Sequence, residues 1–423
     1  MKLKPFLAVL AAAAALTGCG NEITNDSSQL VSRSESETVT SSQSVTSAST
    51  TTTWAPSLAY TATSRTTAAK TTTTTTTSAS SAAPAKTTTA TTAPAPTTTA
   101  RPKPAVTAAP ASAPAPAVSG NDKTKPVVFY GAYTITHLAG YSFDLNSYVS
   151  YGDDTDRNPK LTYSGYVNPN SPGRYNITAK VTDASGNSTS WGITVNVVNS
   201  YPSYPSSPAS PRISFENFRK KYAGANRRYG IDVSQWQGNI DFNAVKNAGC
   251  SFVFIRVGTK YSSYTLDPYF KTNLRNAKAA GLEVGVYLYT TDHSQAAARD
   301  SAKWVINQLG GTKLDLPVAF DWEELSNFQR FGASLNDINN AYAAFRSELA
   351  KSGYSAMIYG NPMTLNNLWS ASNKSTSPIW LAHYVDNTNY SGSYGIWQQC
   401  YGRIPGISGD TDFNIMYTNK KYK

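Results

Sequence analysis

Histidine and cysteine are scarce in this chain, with three of each in 423 residues. The histidines, His137, His293 and His383, have none of the spacings of a zinc centre, which argues against metal-dependent chemistry, and no metal or cofactor is expected. Cys250 opens one predicted strand and Cys400 closes another. A parallel arrangement puts the two at opposite ends of a sheet, so no disulfide is expected between them. Long apolar runs are lacking as well, since the N-terminal run from Phe6 to Leu16 falls short of a membrane span. Acidic residues are outnumbered, 26 Asp and Glu against 37 Lys and Arg, for a formal charge of +11. The excess is local. Arg212, Arg219, Lys220, Lys221, Arg227 and Arg228 face only Glu216, whereas the chain from Tyr229 onward is close to neutral. A short basic collar suits anionic wall polymer or lipid headgroups, or is a solvated linker face, and no nucleic-acid partner is expected.

What is present changes along the chain. Lys2 and Lys4, the apolar run and the small residues after it have the layout of a secretory signal over residues 1–19. Leu16-Thr17-Gly18-Cys19 resembles the lipobox of bacterial lipoproteins, which implies lipidation of Cys19 and a membrane held through its acyl chains. Residues 20–125 read as a disordered stalk, because a stretch made almost wholly of Thr, Ser, Ala and Pro cannot bury enough apolar surface to offset the entropy of ordering. The expected location is the cell surface, with the rest of the chain in or beyond the wall.

Residues 126–199 show short alternating runs, Val127 to Tyr130, Tyr175 to Val181 and Ile193 to Val198, separated by turn clusters, and predict a small all-β sandwich. Pro172-Gly173-Arg174-Tyr175 and Asp183-Ala184-Ser185-Gly186-Asn187 resemble the immunoglobulin-like modules of bacterial surface proteins, which act as spacers or weak binders. The acidic cluster Asp153, Asp154 and Asp156 reads as a solvated loop, with calcium binding as the alternative. Residues 200–228 form a linker carrying the basic collar. From 229 to 423 strands and helices alternate: five β/α units and then three strands, the pattern of an α/β modified TIM-type barrel. Asp241, Asp267 with Pro268, and Ser334 with Asp337 mark helix starts.

In a parallel barrel, functional side chains gather at the C-terminal strand ends. Asp232, Tyr287, Tyr289, Asp321, Trp322, Glu323, Tyr359, Trp380, His383, Tyr384, Trp397 and Gln398 all fall there. Asp321 and Glu323 are two apart, so on a strand they share a face with Cα atoms roughly 6.5–7 Å apart. Alone, such a pair is equally a couple of solvated charges. Surrounded by aromatic rings it suits sugar, because Trp and Tyr stack on a pyranose while carboxylates and amides hold its hydroxyls.

The motifs then resemble glycoside hydrolase family 25. They run from Gly230-Ile231-Asp232-Val233-Ser234-Gln235-Trp236-Gln237-Gly238 through Phe254-Ile255-Arg256, Phe320-Asp321-Trp322-Glu323, Trp380-Leu381-Ala382-His383-Tyr384 and Ile396-Trp397-Gln398 to Asp410-Thr411-Asp412-Phe413-Asn414. The resemblance implies an N-acetylmuramidase (a lysozyme) acting on peptidoglycan, with no cofactor and a monomeric state. It makes Glu323 the general acid/base and Asp321 either nucleophile or orienter of the substrate N-acetyl group. Asp232 and Asp412 become further cleft acids. From their strand-end placement, Tyr287, Tyr289, Trp322, Tyr359, Trp380, Tyr384, Trp397 and Gln398 are expected to bind substrate. The competing expectation is a non-catalytic surface protein that only grips wall glycan. A chitinase is discounted, since its acidic signature needs Asp where Leu316 and Ala319 stand.

Overall fold

The structure is a computed structural model and describes residues 122–202 and 212–423. Cys19, the signal, the stalk through residue 121 and linker residues 203–211 lie outside the described residues.

The first part is a small sandwich of β1 (Val127–Tyr130), β2 (Thr134–Leu138), β3 (Ser150–Gly152), β4 (Lys160–Gly165), β5 (Gly173–Thr182) and β6 (Ser188–Val198). β1 pairs with β3, and β2-β6-β5-β4 form the other sheet. Alternation drives it: Ile177, Ala179 and Val181 on β5 and Ile193, Val195 and Val197 on β6 are buried, while Lys180 between them is exposed. Asp183 closes the β5–β6 hairpin, its carboxylate accepting the Asn187 backbone N–H at 2.8 Å, with Gly186 at φ +91°.

The second part begins with β7 (Ile213–Ser214) and α1 (Phe215–Lys221) and continues with β8 (Arg227–Val233), α2 (Phe242–Asn247), β9 (Phe252–Lys260), the short β10 (Tyr264–Leu266), α3 (Phe270–Ala279), β11 (Glu283–Thr290) and α4 (Gln295–Leu309). It ends with β12 (Val318–Asp321), α5 (Leu335–Ala350), β13 (Ala356–Gly360), α6 (Pro362–Asn367), α7 (Ala371–Thr376), β14 (Ile379–Ala382), β15 (Ile396–Arg403) and β16 (Thr411–Tyr417). Strands β8, β9, β11, β12, β13, β14 and β15 are parallel in succession, and β16 closes the ring by pairing antiparallel with both β15 and β8. This is the expected modified barrel of five β/α units and three further strands. Its lumen is plugged by Phe252, Phe254, Met357, Trp380, Ile396 and Met416. The plug depends on glycine: a Cβ at Gly230 would stand 2.5 Å from the Phe252 ring, and one at Gly285 would stand 2.4 Å from Phe254.

Two expectations about the barrel's start need correction. The supposed linker from 212 to 228 is folded into the barrel, because Phe215 and Phe218 of α1 are buried against Phe413. Its basic residues are accordingly paired. Arg212 meets Asp410 at 2.8 Å, Lys220 Glu216 at 2.6 Å, Lys221 Asp386 at 2.6 Å and Arg228 Glu283 at 2.8 Å. Arg219 and Arg227 donate to the carbonyls of Ala248 and Tyr222. What read as a free collar is a set of local ion pairs and carbonyl contacts. In addition, Asp267 does not cap α3 as its N-cap residue; that position is Tyr269, and the Asp267 carboxylate turns to Arg256 at 2.9 Å and to the Gln235 N–H at 2.8 Å.

The sandwich is also more than a bead on a string, because it packs on the barrel segment Leu325–Phe331. The Ser150 hydroxyl donates to the Leu325 carbonyl and accepts the Phe328 N–H at 3.0 Å. Phe129 packs edge-on against Phe328, with ring centroids 5.4 Å apart. Arg157 grips Asp337 with two hydrogen bonds of 2.7 and 2.8 Å, at the first turn of α5.

Candidate active site

A cleft of about 600 Å³ opens at the C-terminal ends of the barrel strands. It brings together Asp232, Asp321, Glu323 and Asp412, with Tyr287, Tyr289, Tyr359, Trp380, His383, Tyr384 and Gln398 around them. Strand register explains the grouping. Asp412 on β16 lies directly across from Asp232 on β8, and Tyr289 on β11, Asp321 on β12 and Tyr359 on β13 stand in one row.

Amides and phenols hold the acids in place. The Asp232 carboxylate accepts from Gln398 Nε2 at 2.9 Å and Asn414 Nδ2 at 2.8 Å. Gln398 is oriented in turn by the Tyr359 hydroxyl, which donates to its Oε1 at 2.8 Å, and Asn414 by the Trp380 indole N–H at 2.8 Å. Tyr384 donates to Asp412 at 2.9 Å. Tyr289 donates to Glu324 at 2.8 Å, and Arg330 forms an ion pair with the same carboxylate. Asp410, the near neighbour of Asp412, is neutralised by Arg212 at 2.8 Å and Arg403 at 2.9 Å, which separates the two aspartates by role.

Burial dominates the electrostatics. It pushes the Asp321 carboxyl well above the usual carboxylate range, reinforced by Glu323 and Asp232 and opposed by Arg256. Glu323 is raised by burial as well, with Asp321 opposing and Glu324 and Asp412 adding to the rise. The two carboxyls interact directly, so they titrate as a couple that retains a proton to higher pH than an ordinary acid. Asp321 Oδ1 is buried and has no hydrogen-bond partner among the described residues. Burial likewise raises Asp232, with Asp412 adding, and lifts Asp412 to about 6 against the Tyr384 hydrogen bond.

Three details depart from the sequence reading. Strand β12 stops at Asp321, so Glu323 reaches the cleft from the turn beyond it and not from the same strand face. Trp322 is fully buried behind the site, donating to the Asp292 carbonyl at 3.1 Å and packing on Phe328 and Phe331. Trp397 is likewise buried, donating to the His383 carbonyl at 2.8 Å. Neither lines the cleft, because the alternation that turns Asp321 and Gln398 inward turns their tryptophan neighbours outward. Conversely, Trp236, 75% exposed in the loop after β8, and Tyr130 of the sandwich both line it. Trp236 was findable from its place just beyond the first strand. Tyr130 had no local signal.

An acid-lined, aromatic-walled cleft at the strand-end mouth of a β/α barrel has the side-chain chemistry that suits a carbohydrate. Comparison with known proteins finds two matches: residues 231–407 match the model of glycosyl hydrolases family 25, and residues 128–197 match that of the bacterial surface protein Ig-like domain. The chain is 32% identical over 190 residues to the autolytic lysozyme of Clostridium acetobutylicum, covering 44% of this chain and 54% of that one. It is 32% identical over 202 residues to lysozyme M1 of Streptomyces globisporus, covering 44% and 66%. The match therefore spans about half to two thirds of these relatives' lengths. A bacterial lysozyme structure from Streptomyces coelicolor is 29% identical, covering 45% of this chain and 92% of that one at a TM-score of 0.40.

The raised Asp412 makes a stability prediction. Its folded-state value of about 6 exceeds the 3.8 of a free aspartate, so the folded protein holds this proton more tightly than the unfolded one. That contribution is complete below about pH 4 and is lost as pH rises through about 6. Asp412→Asn is therefore expected to stabilise the protein at pH 7.5 by on the order of 1–2 kcal/mol, allowing for partial exposure, with the gain vanishing near pH 4. Thermal melts at the two pH values check this, and a difference independent of pH would contradict it.

Proposed function

We propose that the barrel is an N-acetylmuramidase that hydrolyses the β-1,4 bond from N-acetylmuramic acid to N-acetylglucosamine in peptidoglycan. The observation that carries this reading is the convergence of Asp232, Asp321, Glu323 and Asp412 in one aromatic-walled cleft. The family 25 match and the two lysozyme relatives support it.

Glu323 is the general acid/base. It is more accessible than the buried Asp321, so it can reach a glycosidic oxygen in the cleft and deliver to it the proton that the carboxyl couple retains. Asp321 sits deeper, where it serves as nucleophile or holds the substrate N-acetyl group as the attacking group. The resemblance to family 25 implies retention at the anomeric carbon by either route. Asp232 and Asp412, fixed by Gln398, Asn414 and Tyr384, line the cleft beside the couple, where they can accept hydrogen bonds from the sugar hydroxyls. Trp236 offers a ring face to the pyranoses. The lipobox ending at Cys19 and the stalk support a further proposal, that the hydrolase is tethered to a membrane and reaches the wall from the cell surface.

Glu323→Gln is expected to lower the release of reducing sugar from peptidoglycan by at least about a hundredfold with the fold intact, the scale of a lost acid/base group. An undiminished rate would remove Glu323 from its role. Tyr130 lies on the cleft wall but on the sandwich, away from the acids' supporting strands. Tyr130→Ala should therefore raise KM for soluble wall oligosaccharides roughly 3- to 10-fold and leave kcat nearly unchanged, as expected for lost ring contact. A fall in kcat at constant KM would contradict a binding role.

A further inference from the structure

The sandwich carries an acidic group that the barrel's chemistry does not use. Asp122, Asp153 and Asp154 each offer a carboxylate oxygen, and these oxygens all lie within 4.8 Å of one another. Asp156, grouped with the pair by sequence, belongs elsewhere: its oxygens accept the N–H groups of Asn158 and Ala184, both at 2.9 Å. Asp122 takes its place from 31 positions before Asp153 in the chain.

The group is built in a way that asks for a cation. Asp153 has no exposed surface; its Oδ1 accepts the N–H groups of Thr155 at 3.0 Å and Asp156 at 2.8 Å, whereas its Oδ2 is buried with no hydrogen-bond partner among the described residues. Asp154 Oδ1 is orphaned in the same way. Among the described residues, no Lys, Arg or His forms an ion pair with any of the three, although ionised carboxylates in such a setting are costly unless compensated. Burial lifts the Asp153 carboxyl above the usual range, and Asp154 and Asp122 add to the rise against the two backbone hydrogen bonds.

We propose that Asp122, Asp153 and Asp154 bind one Ca²⁺, which fastens the N-terminal edge of the sandwich to the loop that docks on the barrel. The donors are all hard oxygens, which disfavours zinc and copper. Three carboxylates suit Ca²⁺ better than Mg²⁺, which keeps most of its waters and takes one or two. Oxygens on opposite sides of one Ca²⁺ are about 4.6–5.2 Å apart, twice the Ca–O distance, so the whole group fits within a single coordination shell. The placement gives the ion a task. The carbonyls of Asp153 and Asp154 accept the N–H groups of Leu335 at 2.8 Å and Asn336 at 3.1 Å, at the start of α5. Asp122 leads into β1, whose last residue is Tyr130 at the cleft. A cation joining these two segments holds the sandwich against the barrel.

The test is calcium titration of the chelator-stripped full chain by calorimetry, with thermal melts in parallel. One Ca²⁺ per chain is expected, with Kd in the range of about 10⁻⁵ to 10⁻³ M, and a rise in Tm of roughly 3–8 °C at saturation. Asp122→Asn and Asp154→Asn should each weaken binding at least tenfold while leaving the circular dichroism spectrum unchanged, whereas Asp300→Asn, on the exposed face of α4, should not. Asp153 is left intact because its carboxylate also closes the local turn. Absence of both heat and melting shift at 10 mM Ca²⁺ would overturn the proposal. So would equal binding by the Asp122 and Asp154 variants, or a response that Mg²⁺ reproduces in full.

Discussion

The antiparallel pairing of β16 with β8 is the constraint on which the site depends. It closes the barrel, and in doing so it sets Asp412 opposite Asp232 and brings Asn414 within 2.8 Å of the Asp232 carboxylate. Without that register the lumen plug of Phe252, Phe254 and Trp380 would lose a wall, and two of the four cleft acids would be parted. Closure also removes the sheet edges that an open arrangement would leave unpaired.

Gathering carboxyls in one buried place works against stability, and the structure shows how the conflict is contained. Each acid is given a different environment. Asp232 has two amide donors, Asp412 a phenol, Glu324 a tyrosine and an arginine, while Asp321 has an oxygen with no hydrogen-bond partner among the described residues. The least satisfied group is therefore the one paired with Glu323. That is where strain has chemical use, since poorly compensated charge raises the affinity for a proton. The aromatic ring system beneath, with Phe254 stacked on Trp380 at 4.4 Å and Tyr359 edge-on at 4.8 Å, keeps the floor rigid and dry.

Much of this was legible in the sequence, and for identifiable reasons. The β/α rhythm is a local signal, and Ser334 with Asp337 forms the capping box that its spacing announces. The cleft acids were legible because each lies at or just beyond a strand end. Contacts between distant segments were not. Arg212 to Arg228 looked like a free collar because Asp386 and Asp410, which pair with Lys221 and Arg212, lie more than 150 positions away. Tyr130 reaches the cleft only through a docking surface built from Ser150, Phe129 and Phe328. Trp322 and Trp397 keep the company of sugar-binding residues in the sequence, yet both are buried away from the cleft, a difference that only the packing around them reveals.

The domain arrangement that follows is a barrel whose cleft is lined in part by Tyr130 of the sandwich. The central claim, that this cleft cuts the glycan backbone of peptidoglycan by muramidase chemistry, is tested most directly by mass analysis of borohydride-reduced fragments released from defined peptidoglycan. The account predicts fragments ending in reduced N-acetylmuramic acid. Fragments ending in reduced N-acetylglucosamine, or fragments separated only within the peptides, would contradict it.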